Sequence, residues 1–432
     1  MRRLRYAVTM KLTRREVLRL AGAGAAGLAI SCGDNDPSRP PGVHHASAVF
    51  EPSSDAFSIA LWSSLSHSVS VEVRDSRNAT VLAITADLDS AGRAVVDVTD
   101  LQPSTTYQVS LLASGGTRLG PHTVRTAPAD DDPRLVRLAV SADLDPSHEF
   151  DSDLLTQLAA AAPELYVSIG DFPYTDNGPP AMTVDEYRAR HAELRTTPKV
   201  RACFDTMGIR AIYDDHEFRN DWDAMWVAAE PSRFAAAMQV WDEFFPVRGA
   251  TGDIRFRSWR WGANVECFLL DTRRFRSADA AVDDANKTML GEAQHQWLVA
   301  GVRASTATFK LIFTTVPLDF ATGDDAWHVF TTERDRLFGE LVGVPGIVFF
   351  SGDQHFFAAH RHAHGIREFQ VGPLARGLGM PGPTAPGVVF RSVQYNFGQI
   401  DVDDQHLTIC GIGADGSCFY KETLSAADLT PM

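Results

Sequence analysis

Polar and apolar residues alternate over short stretches between about residues 44 and 127 of the chain. A period of two is typical of half-buried antiparallel strands, and Ser, Asp, Asn and Gly residues separate the stretches as turns would. The pattern predicts a small all-β sandwich over 44–127, with Trp62 filling its core, and a linker over 127–133. The predicted strands are Phe57–Trp62, Val69–Arg74, Val81–Thr85, Ala94–Val98 and Tyr107–Leu112.

Residues 101–109 of this segment, Leu-Gln-Pro-Ser-Thr-Thr-Tyr-Gln-Val, resemble the tyrosine corner of fibronectin type III sandwiches. In that motif a tyrosine hydroxyl, here that of Tyr107, forms a hydrogen bond with nearby backbone. The resemblance implies a fibronectin III-like sandwich. Its function is not indicated by the sequence, and a spacer or a docking module are both open.

From residue 134 onward, short apolar runs alternate with segments of helical periodicity. Such alternation favours an α/β domain over 134–432 in which sheets are flanked by helices. The predicted strands are Leu135–Ser141, Leu165–Ile169, Ile209–Tyr213, Val265–Leu270, Lys310–Thr315 and Ile347–Phe350, followed by Gln399–Val402, Leu407–Gly411 and Cys418–Thr423. The predicted helices include Phe150–Ala162, Val184–Arg195, Ser232–Phe245, Glu292–Ser305 and Thr332–Val342.

The first 31 residues have the pattern of an export signal. Basic residues, among them the pair Arg14-Arg15, precede an uncharged run over 20–31 that is rich in Ala and Gly. The run is shorter than the ~20 residues that a membrane-spanning helix needs, which favours a signal peptide. The segment resembles a twin-arginine signal, and this resemblance implies export by the twin-arginine translocation machinery.

Cys32 follows Leu28-Ala29-Ile30-Ser31, a sequence that resembles a lipobox. The resemblance implies a lipid anchor at Cys32, with 32–43 as a polar tether. A plain signal peptide followed by an incidental cysteine is the alternative. The expected location is therefore periplasmic, extracellular or membrane-anchored.

The composition narrows the class of protein. Of the 432 residues, 44% are hydrophobic and 22% are charged, which excludes wholesale disorder. With 40 basic and 55 acidic residues the net charge is −15, so we expect no nucleic-acid-binding surface.

Cys410 and Cys418 flank a hairpin-turn signal. An exported protein permits a disulfide there, and the sequence leaves open whether the two cysteines form it or remain free. Cys203 and Cys267 lie in apolar contexts, which indicates buried free thiols.

Four predicted strands of the α/β domain end in polar clusters. One Asp after one strand is usually a helix N-cap, but four clusters rich in Asp and His indicate metal binding. Because ligands gather beyond the carboxyl ends of strands in an α/β sheet, clusters distant in sequence can converge there. The clusters are 141–145 (Ser-Ala-Asp-Leu-Asp), 170–174 (Gly-Asp-Phe-Pro-Tyr), 214–217 (Asp-Asp-His-Glu) and 352–355 (Gly-Asp-Gln-His).

The clusters offer carboxylates and imidazoles but no thiolates. Such ligands suit hard or borderline ions such as Ca, Mn, Fe or Zn. Two ions ~3.5–4 Å apart can clamp a phosphoryl group and generate hydroxide at neutral pH. The chemistry indicated is phosphoester hydrolysis.

Gly170-Asp171-x-x-Tyr174 resembles the GDxxY motif shared by purple acid phosphatases and PhoD-type alkaline phosphatases. The resemblance implies a calcineurin-like metallophosphoesterase fold, a sandwich of mixed sheets flanked by helices. Further stretches similar to PhoD-type motifs follow in the same order: Asp214-Asp215-His216-Glu217-x-x-Asn220-Asp221-Trp222, Leu270-Asp271-Thr272-Arg273, Leu290-Gly291-x-x-Gln294-x-x-Trp297-Leu298, Val316-Pro317-Leu318 and Ser351-Gly352-Asp353-x-His355.

The resemblance implies a set of metal ligands. Asp171 would bridge the ions, and Tyr174 would bind a trivalent ion as a phenolate. Asp353 and His355 would be further ligands, and Asp215 stands where related metallophosphoesterases place a metal-binding Asn.

The resemblance also implies catalytic residues. His216 would face the leaving-group oxygen or the phosphate as an acid or an electrostatic stabiliser. Asn220 would contact phosphate or metal. Arg273 would hold a phosphate oxygen, unless it is a surface arginine or pairs with a helix N-cap.

One position departs from the PhoD pattern. The family typically reads Ser-Cys-Gln where this chain reads Ser141-Ala142-Asp143, so the thiolate ligand is missing and Asp143 would replace it. A carboxylate in place of a thiolate changes the softness and the redox potential of the site, which leaves iron open. The resemblance suggests Ca and Fe, and Mn or Zn also fits, with two or more ions in total.

The sequence thus predicts an exported, metal-dependent phosphomonoesterase or phosphodiesterase in which a metal-bound hydroxide attacks the phosphorus of a small phosphoester. The alternative is a cell-surface binding or adhesion protein whose phosphoesterase-like domain is inactive, as the missing thiolate would allow.

His360, His362 and His364 recur at every second position, which places them on one face of a strand. We expect a pocket wall or an incidental surface there, rather than an extra metal site.

Overall fold

The computed structural model describes residues 9–10, 45–145 and 153–432 of the chain. Apart from Thr9–Met10, the predicted signal peptide, Cys32 and the tether lie outside the described residues. The start of the helix predicted over Phe150–Ala162 lies outside them as well.

The strands form an N-terminal group and a second group that alternates with helices. The first group is β1 (Thr9–Met10), β2 (Ala46–Phe50), β3 (Phe57–Trp62), β4 (Ser68–Arg74), β5 (Thr80–Asp87), β6 (Arg93–Val98), β7 (Thr106–Ala113) and β8 (Arg118–Arg125). The second is β9 (Val136–Ser141), β10 (Leu165–Ile169), β11 (Gly208–Ile212), β12 (Arg257–Arg260), β13 (Val265–Leu269), β14 (Phe309–Phe313), β15 (Ile347–Ser351), β16 (Phe357–Arg361), β17 (Arg367–Gln370), β18 (Val388–Ser392), β19 (Asn396–Val402), β20 (His406–Gly413) and β21 (Cys418–Ser425). The helices are α1 (Leu154–Ala161), α2 (Val184–Thr196), α3 (Pro198–Phe204), α4 (Ala224–Ala229), α5 (Pro231–Phe244), α6 (Gly291–Ala304) and α7 (Thr331–Leu341).

Strands β2 to β8 form two facing antiparallel layers. β2, β3 and β6 pair side by side, and β5, β4, β7 and β8 form the opposite sheet. The side chains alternate in burial as predicted, so that Ile59, Val71 and Val109 share one core. The sequence pattern does not predict β2, which is short, or β8, which contains a Gly-Pro pair.

Tyr107 forms the backbone contact expected of it. Its hydroxyl accepts a hydrogen bond from the backbone N–H of Gln102 at 2.9 Å. This contact ties the start of β7 to the preceding connection, as the resemblance to a tyrosine corner implied.

The N-terminal layers are continuous with the α/β part. One ten-stranded sheet runs β1-β6-β3-β2-β11-β10-β9-β19-β20-β21, and its two halves meet where Phe50 pairs with Ile209. The prediction for Trp62 was wrong: its ring stacks on Phe244 of α5 at 5.1 Å and lies in the α/β core. The alternation of side chains along β3 shows which residues share a face of the strand. It does not show which hydrophobic core each face packs against.

The α/β part adds a second sheet of seven strands, in the order β12-β13-β14-β15-β17-β16-β18. Phe313 and Phe350 of this sheet share one core with side chains of β9, β10 and β11. Ile312 and Phe349, on the opposite face, share another core with Leu298 of α6. The predicted mixed sheets with flanking helices are therefore confirmed.

The strand directions bring the polar clusters together. β9, β10 and β11 are adjacent and parallel in the ten-stranded sheet, and β13, β14 and β15 are adjacent and parallel in the other. Each predicted cluster directly follows one of these strands. The carboxyl ends of parallel strands lie at one edge of a sheet, so three clusters share an edge of the ten-stranded sheet, and the fourth lies at the carboxyl end of β15 in the other sheet.

The disulfide that the sequence left open at the hairpin turn is present. A disulfide joins Cys410 of β20 to Cys418 of β21, while Cys203 and Cys267 are buried free thiols. Within 45–145 and 153–432, no helix has the length and apolar character that crossing a membrane requires.

Candidate metal centre

The hydroxyl of Tyr174 lies at the meeting point of three clusters. It is 3.0 Å from Oδ2 of Asp171, 2.9 Å from Nε2 of His355 and 3.5 Å from Oδ1 of Asp143. Nε2 of His355 is itself 3.5 Å from Oδ1 of Asp143. Side chains from β9, β10 and β15 thus touch one another, although they come from two different sheets.

Asp171 is the residue that three groups of candidate ligands share. Groups of metal-ligating side chains whose donor atoms all lie within 4.8 Å of one another recur around it. The groups that contain Asp171 are Asp143–Asp171–His355, Asp171–Asp215–His216 and Asp171–Asp214–Asp353, and a further group, Asp215–Asp221–Asp325, adjoins them. The structure therefore brings the predicted ligands of all four clusters together.

Burial and the repulsion between neighbouring carboxylates both disfavour the ionised form of these side chains. Burial, followed by the charges of Asp215 and Asp214, raises the pKa of Asp171 well above its ordinary value. Burial and Asp214 likewise raise the pKa of Asp353 well above its ordinary value. Such a concentration of buried negative charge is costly unless cations compensate it.

Two carboxylate oxygens in the cluster have no hydrogen-bond partner within the described residues, although Oδ1 of Asp215 lies 3.9 Å from Nη2 of Arg273. Oδ2 of Asp143 and Oδ1 of Asp215 are buried and accept no hydrogen bond. Buried acceptors are normally satisfied, and an ion would satisfy both. The residues present therefore fit a centre with metal ions.

The backbone turns sharply at the candidate ligands. Asp143 (φ 61°), Asp171 (φ 56°), Asp353 (φ 71°) and His355 (φ 60°) all adopt the left-handed conformation, which is rare for residues with a side chain. Residues held in this region concentrate at functional sites, where surrounding structure compensates the strain.

Two glycines allow the loops to approach closely. Gly170 has a φ of 106°, and a Cβ there would lie 2.4 Å from Cβ of Asp214. A Cβ on Gly372 would lie 2.4 Å from Oδ2 of Asp143. The loops that carry Asp143 and Asp214 can reach their positions only because both neighbours lack a side chain.

Glu217 fastens two clusters to each other. Its Oε1 accepts a hydrogen bond from the backbone N–H of Phe172 at 2.8 Å, and its Oε2 accepts one from the N–H of Asp214 at 3.0 Å. This buried carboxylate fixes the turn after β10 against the turn after β11.

His216 is oriented by an aspartate that the motifs did not single out. Nδ1 of His216 lies 2.8 Å from Oδ1 of Asp176, and its ring lies 4.0 Å from the Tyr174 ring. Burial lowers the pKa of His216, but Asp215 and Asp176 more than offset it and raise that pKa to about 9. Asn220 is exposed, and its backbone N–H donates to Asp176 at 2.7 Å.

Arg273 is not placed to hold a phosphate. Its side chain is fully buried, and Nε donates to Oδ1 of Asp214 at 2.6 Å while Nη1 donates to Oδ1 of Asp325 at 2.7 Å. Its remaining donors face Asp214, Asp325 and the Trp222 carbonyl. All five N–H groups have partners, so Arg273 acts as the counter-charge of Asp214 instead.

Sequence reasoning missed Asp176, Asp325 and Arg376. Asp176 lies two positions after Tyr174 in the same loop, and this proximity was a usable signal. The guanidinium of Arg376 lies 4.5 Å above the Tyr174 ring and 3.1 Å from Asp145. Neither Arg376 nor Asp325 lies in a recognisable motif, so only the fold reveals them.

Sequence comparison agrees with this geometry. The model of the family "PhoD-like phosphatase" matches residues 155–392, more than half of the chain. Alkaline phosphatase D of Bacillus subtilis (strain 168) is 28% identical over 226 residues, which are 45% of this chain and 39% of that protein. The aligned region therefore spans less than half of that relative.

Two solved structures share the fold. A structure of PhoD gives a TM-score of 0.74 at 19% identity and covers 89% of each chain. Purple acid phosphatase PPD1 from yellow lupin (Lupinus luteus) gives a TM-score of 0.65 at 12% identity, over 91% of this chain and 76% of its own. The resemblance drawn from the motifs is confirmed, and the chain belongs to the PhoD-like phosphatase family.

Proposed function

We propose that this protein is a metal-dependent hydrolase of small phosphoesters. The observation that carries the proposal is the position of Asp171, which belongs to three groups of candidate ligands whose atoms lie within 4.8 Å of one another. Two neighbouring ions need such a shared carboxylate as a bridge. Membership of the PhoD-like phosphatases supports the class of reaction.

The ligand set that we propose offers carboxylate, phenol and imidazole donors. Ca, Mn, Zn and Fe all accept such donors, and Ala142 leaves no thiolate that would favour iron. Bound ions would polarise the phosphoryl group, activate water and neutralise the charge of the transition state. The proposed ligands are Asp143, Asp171, Tyr174, Asp215, Asp353 and His355.

The remaining residues orient groups and move protons. Asp176 holds Nδ1 of His216, which leaves Nε2 to give a proton to the leaving-group oxygen, so we assign His216 the role of general acid. Arg273 keeps Asp214 in place. Asn220, whose backbone is held by the same Asp176, is proposed as a phosphate contact at the open side of the site.

The test uses Asp171→Asn, which removes the bridging charge and keeps the shape of the side chain. We expect hydrolysis of p-nitrophenyl phosphate to fall to background and bound metal to decrease, with an unchanged circular dichroism spectrum. Asp404→Asn, at an exposed position on the β19–β20 turn, is the matched control. An unimpaired rate in Asp171→Asn would refute the assignment.

The metal content and the activity of the wild-type protein decide between a phosphoesterase and an inactive binding protein. Protein purified without added metal that contains no ions, and shows no chelator-sensitive hydrolysis after reconstitution, would support that alternative. A comparison of monoester and diester rates would define the substrate class.

The domain organisation and the export of the chain are also proposals. We propose a twin-arginine signal over 1–31, a lipid on Cys32, a fibronectin III-like sandwich over 44–127 and a catalytic domain over 134–432. The three-on-four strand arrangement and the contact of Tyr107 support the sandwich. Mass spectrometry of the exported protein tests the signal peptide and the lipid. A mature chain that begins at any residue other than Cys32 would contradict the lipid anchor.

A further inference from the structure

Three buried side chains meet where β16 and β17 pair. His360 of β16 lies directly opposite Glu368 of β17 in antiparallel register, and His362 follows the end of β16. Nε2 of His362 is 2.7 Å and Nδ1 of His360 is 3.3 Å from the same oxygen, Oε2 of Glu368. The three side chains are at most 3% exposed.

This arrangement differs from the pocket wall or incidental surface expected at these histidines. β16 ends at Arg361, so His362 and His364 both lie beyond the strand and the alternation does not determine where they point. His364 is exposed, and its Nδ1 donates to the backbone oxygen of Met432 at 2.8 Å. Only His360 and His362 turn inward to the carboxylate.

The carboxylate of Glu368 carries a charge that needs compensation. The side chain of Glu368 is fully buried, and its Oε2 faces the ring nitrogens of His360 and His362. Its other oxygen, Oε1, accepts hydrogen bonds from Oγ of Ser351 at 2.6 Å and from the N–H of Leu318 at 3.0 Å. Two neutral imidazoles beside this ionised group would leave one negative charge in the interior.

The distance of His360 from Glu368 fits two ligands of one ion, whereas the 2.7 Å contact of His362 is that of a hydrogen bond and would lengthen around an ion. A charge-assisted N–H···O hydrogen bond spans ~2.7–2.9 Å, and the contact of His360 at 3.3 Å is longer. Around a tetrahedral ion with ligands at ~2.0–2.1 Å, donor atoms lie ~3.3 Å apart. Nε2 of His360 has no hydrogen-bond partner among the described residues, so the ring is not fixed from its other side.

Aromatic rings pack against the two histidines. The Phe320 ring lies 4.9 Å from the His360 ring and 5.6 Å from the His362 ring, and Phe338 lies 6.0 Å from His362. An apolar surround limits access of water and strengthens the attraction between a carboxylate and a cation.

We propose that His360, His362 and Glu368 bind one divalent ion of the borderline class that zinc represents. Two imidazole nitrogens and one carboxylate oxygen are ligands that zinc accepts, and water can complete the fourth position. The site shares no residue with the candidate metal centre. The ion would join β16 to β17 and, through Oε1 of Glu368 and Ser351, support the turn that carries Asp353.

The direct test uses the wild-type chain, crystallised and soaked in zinc chloride, with anomalous diffraction recorded at the zinc edge. We expect a peak between the imidazoles of His360 and His362 and the carboxylate of Glu368. The absence of a peak at that position overturns the proposal, whatever binds at Asp171.

Zinc content in solution gives an independent test that does not depend on catalysis. We expect His360→Ala and His362→Ala each to lose about one zinc ion per chain after dialysis, together with part of the thermal stabilisation that zinc provides. His364→Ala, in the same stretch but turned outward, should keep the wild-type content. Asp171→Asn should still bind zinc at this second site.

The solution test also has an outcome that excludes the ion. Equal zinc contents in His362→Ala, His364→Ala and wild type would show that the cluster is only a hydrogen-bonded part of the core. Because His362 lies beyond the end of β16, its substitution disturbs the sheet less than that of His360, and it remains informative if His360→Ala does not fold.

Discussion

The hydroxyl of Tyr174 and Nε2 of His355 lie 2.9 Å apart, although 181 positions separate the two residues. Nδ1 of His355 lies 2.6 Å from the carbonyl oxygen of Gly377, which only accepts, so Nδ1 carries the proton. In the neutral imidazole Nε2 is then an acceptor that faces Asp143 and Asp171. This tautomer is the one in which Nε2 can bind a metal ion.

Tyr174→Phe removes the hydroxyl from this contact and keeps the ring, which packs 4.0 Å from the His216 ring. Because the packing remains, we expect an unchanged circular dichroism spectrum but an affinity for metal lowered at least ~10-fold, measured by competition with a chelator. Tyr187→Phe is the control, since its hydroxyl donates to the Phe218 carbonyl at 2.8 Å, outside the ligand set. Equal affinities of Tyr174→Phe and wild type would contradict the ligand assignment.

Metal-free protein should become more stable as the pH falls. Burial and the charges around them raise the pKa of both Asp171 and Asp353 well above ordinary values. A carboxyl with a raised pKa in the folded state binds its proton more tightly there than in the unfolded chain, so its ionisation destabilises the fold. This destabilisation is present above the folded pKa and is relieved as the pH falls through it towards the ordinary value of ~3.9.

Bound ions reverse the trend because they bind the deprotonated carboxylates. We expect chelator-treated protein to melt at a lower temperature at about pH 8 than at about pH 5.5, and added metal to raise the midpoint most at the higher pH. Thermal unfolding with and without chelator at both pH values measures this. Midpoints that do not respond to chelator at either pH would show that the acidic cluster holds no ion.

Arg273→Met should destabilise the fold severely. The change leaves the buried carboxylate of Asp214 without its cation and leaves Asp325 with Arg276 alone, and we expect the free energy of unfolding to fall by ~3–5 kcal/mol. Arg274→Met, one position along the chain, breaks a pair with the exposed Asp253 and removes a guanidinium that lies 5.1 Å from the Phe234 ring, and should cost ~1 kcal/mol. Urea unfolding of both variants compares them, and similar losses would mean that Arg273 is not the counter-charge of the site.

The ligands were accessible to sequence reasoning because each lies at the end of an apolar run. Asp171 and Tyr174 are three positions apart in one turn, and the turn follows a strand whose pattern is unambiguous. The roles of the surrounding charges depend on partners far along the chain. Arg273 meets Asp325 52 positions later, and no local pattern distinguishes it from an arginine that faces substrate.

The connection between the two parts of the chain was not predictable for the same reason. Alternation identified β3 and its two faces, but Trp62 turned out to pack on α5. Whether a strand faces one core or two depends on what lies beyond the sheet. A segment that reads as a separate sandwich therefore shares a sheet with the α/β part through Phe50 and Ile209.

Glu51 provides a test of that junction. Directly after β2, its Oε2 accepts from Arg210 of β11 at 2.7 Å and its Oε1 from Arg257 of β12 at 2.6 Å. Glu51→Gln leaves two arginines without their counter-charge, and we expect a loss of ~3–5 kcal/mol in the free energy of unfolding at neutral pH. Glu72→Gln, in an exposed pair with Arg74, should cost ~0–1 kcal/mol.

The loss caused by Glu51→Gln should also depend on pH. Burial raises the pKa of Glu51, but Arg210 and Arg257 lower it by more, so the pKa lies below its ordinary value in the folded protein. The stability that the ionised group contributes is therefore complete above ~4.3, the pKa of an unfolded glutamate, and is lost as the pH falls through the lower folded pKa. Urea unfolding from about pH 7 to about pH 3 should show wild type converging on the variant at the acid end. A difference that stays constant over this range would mean that the charge of Glu51 does not hold the two parts of the sheet together.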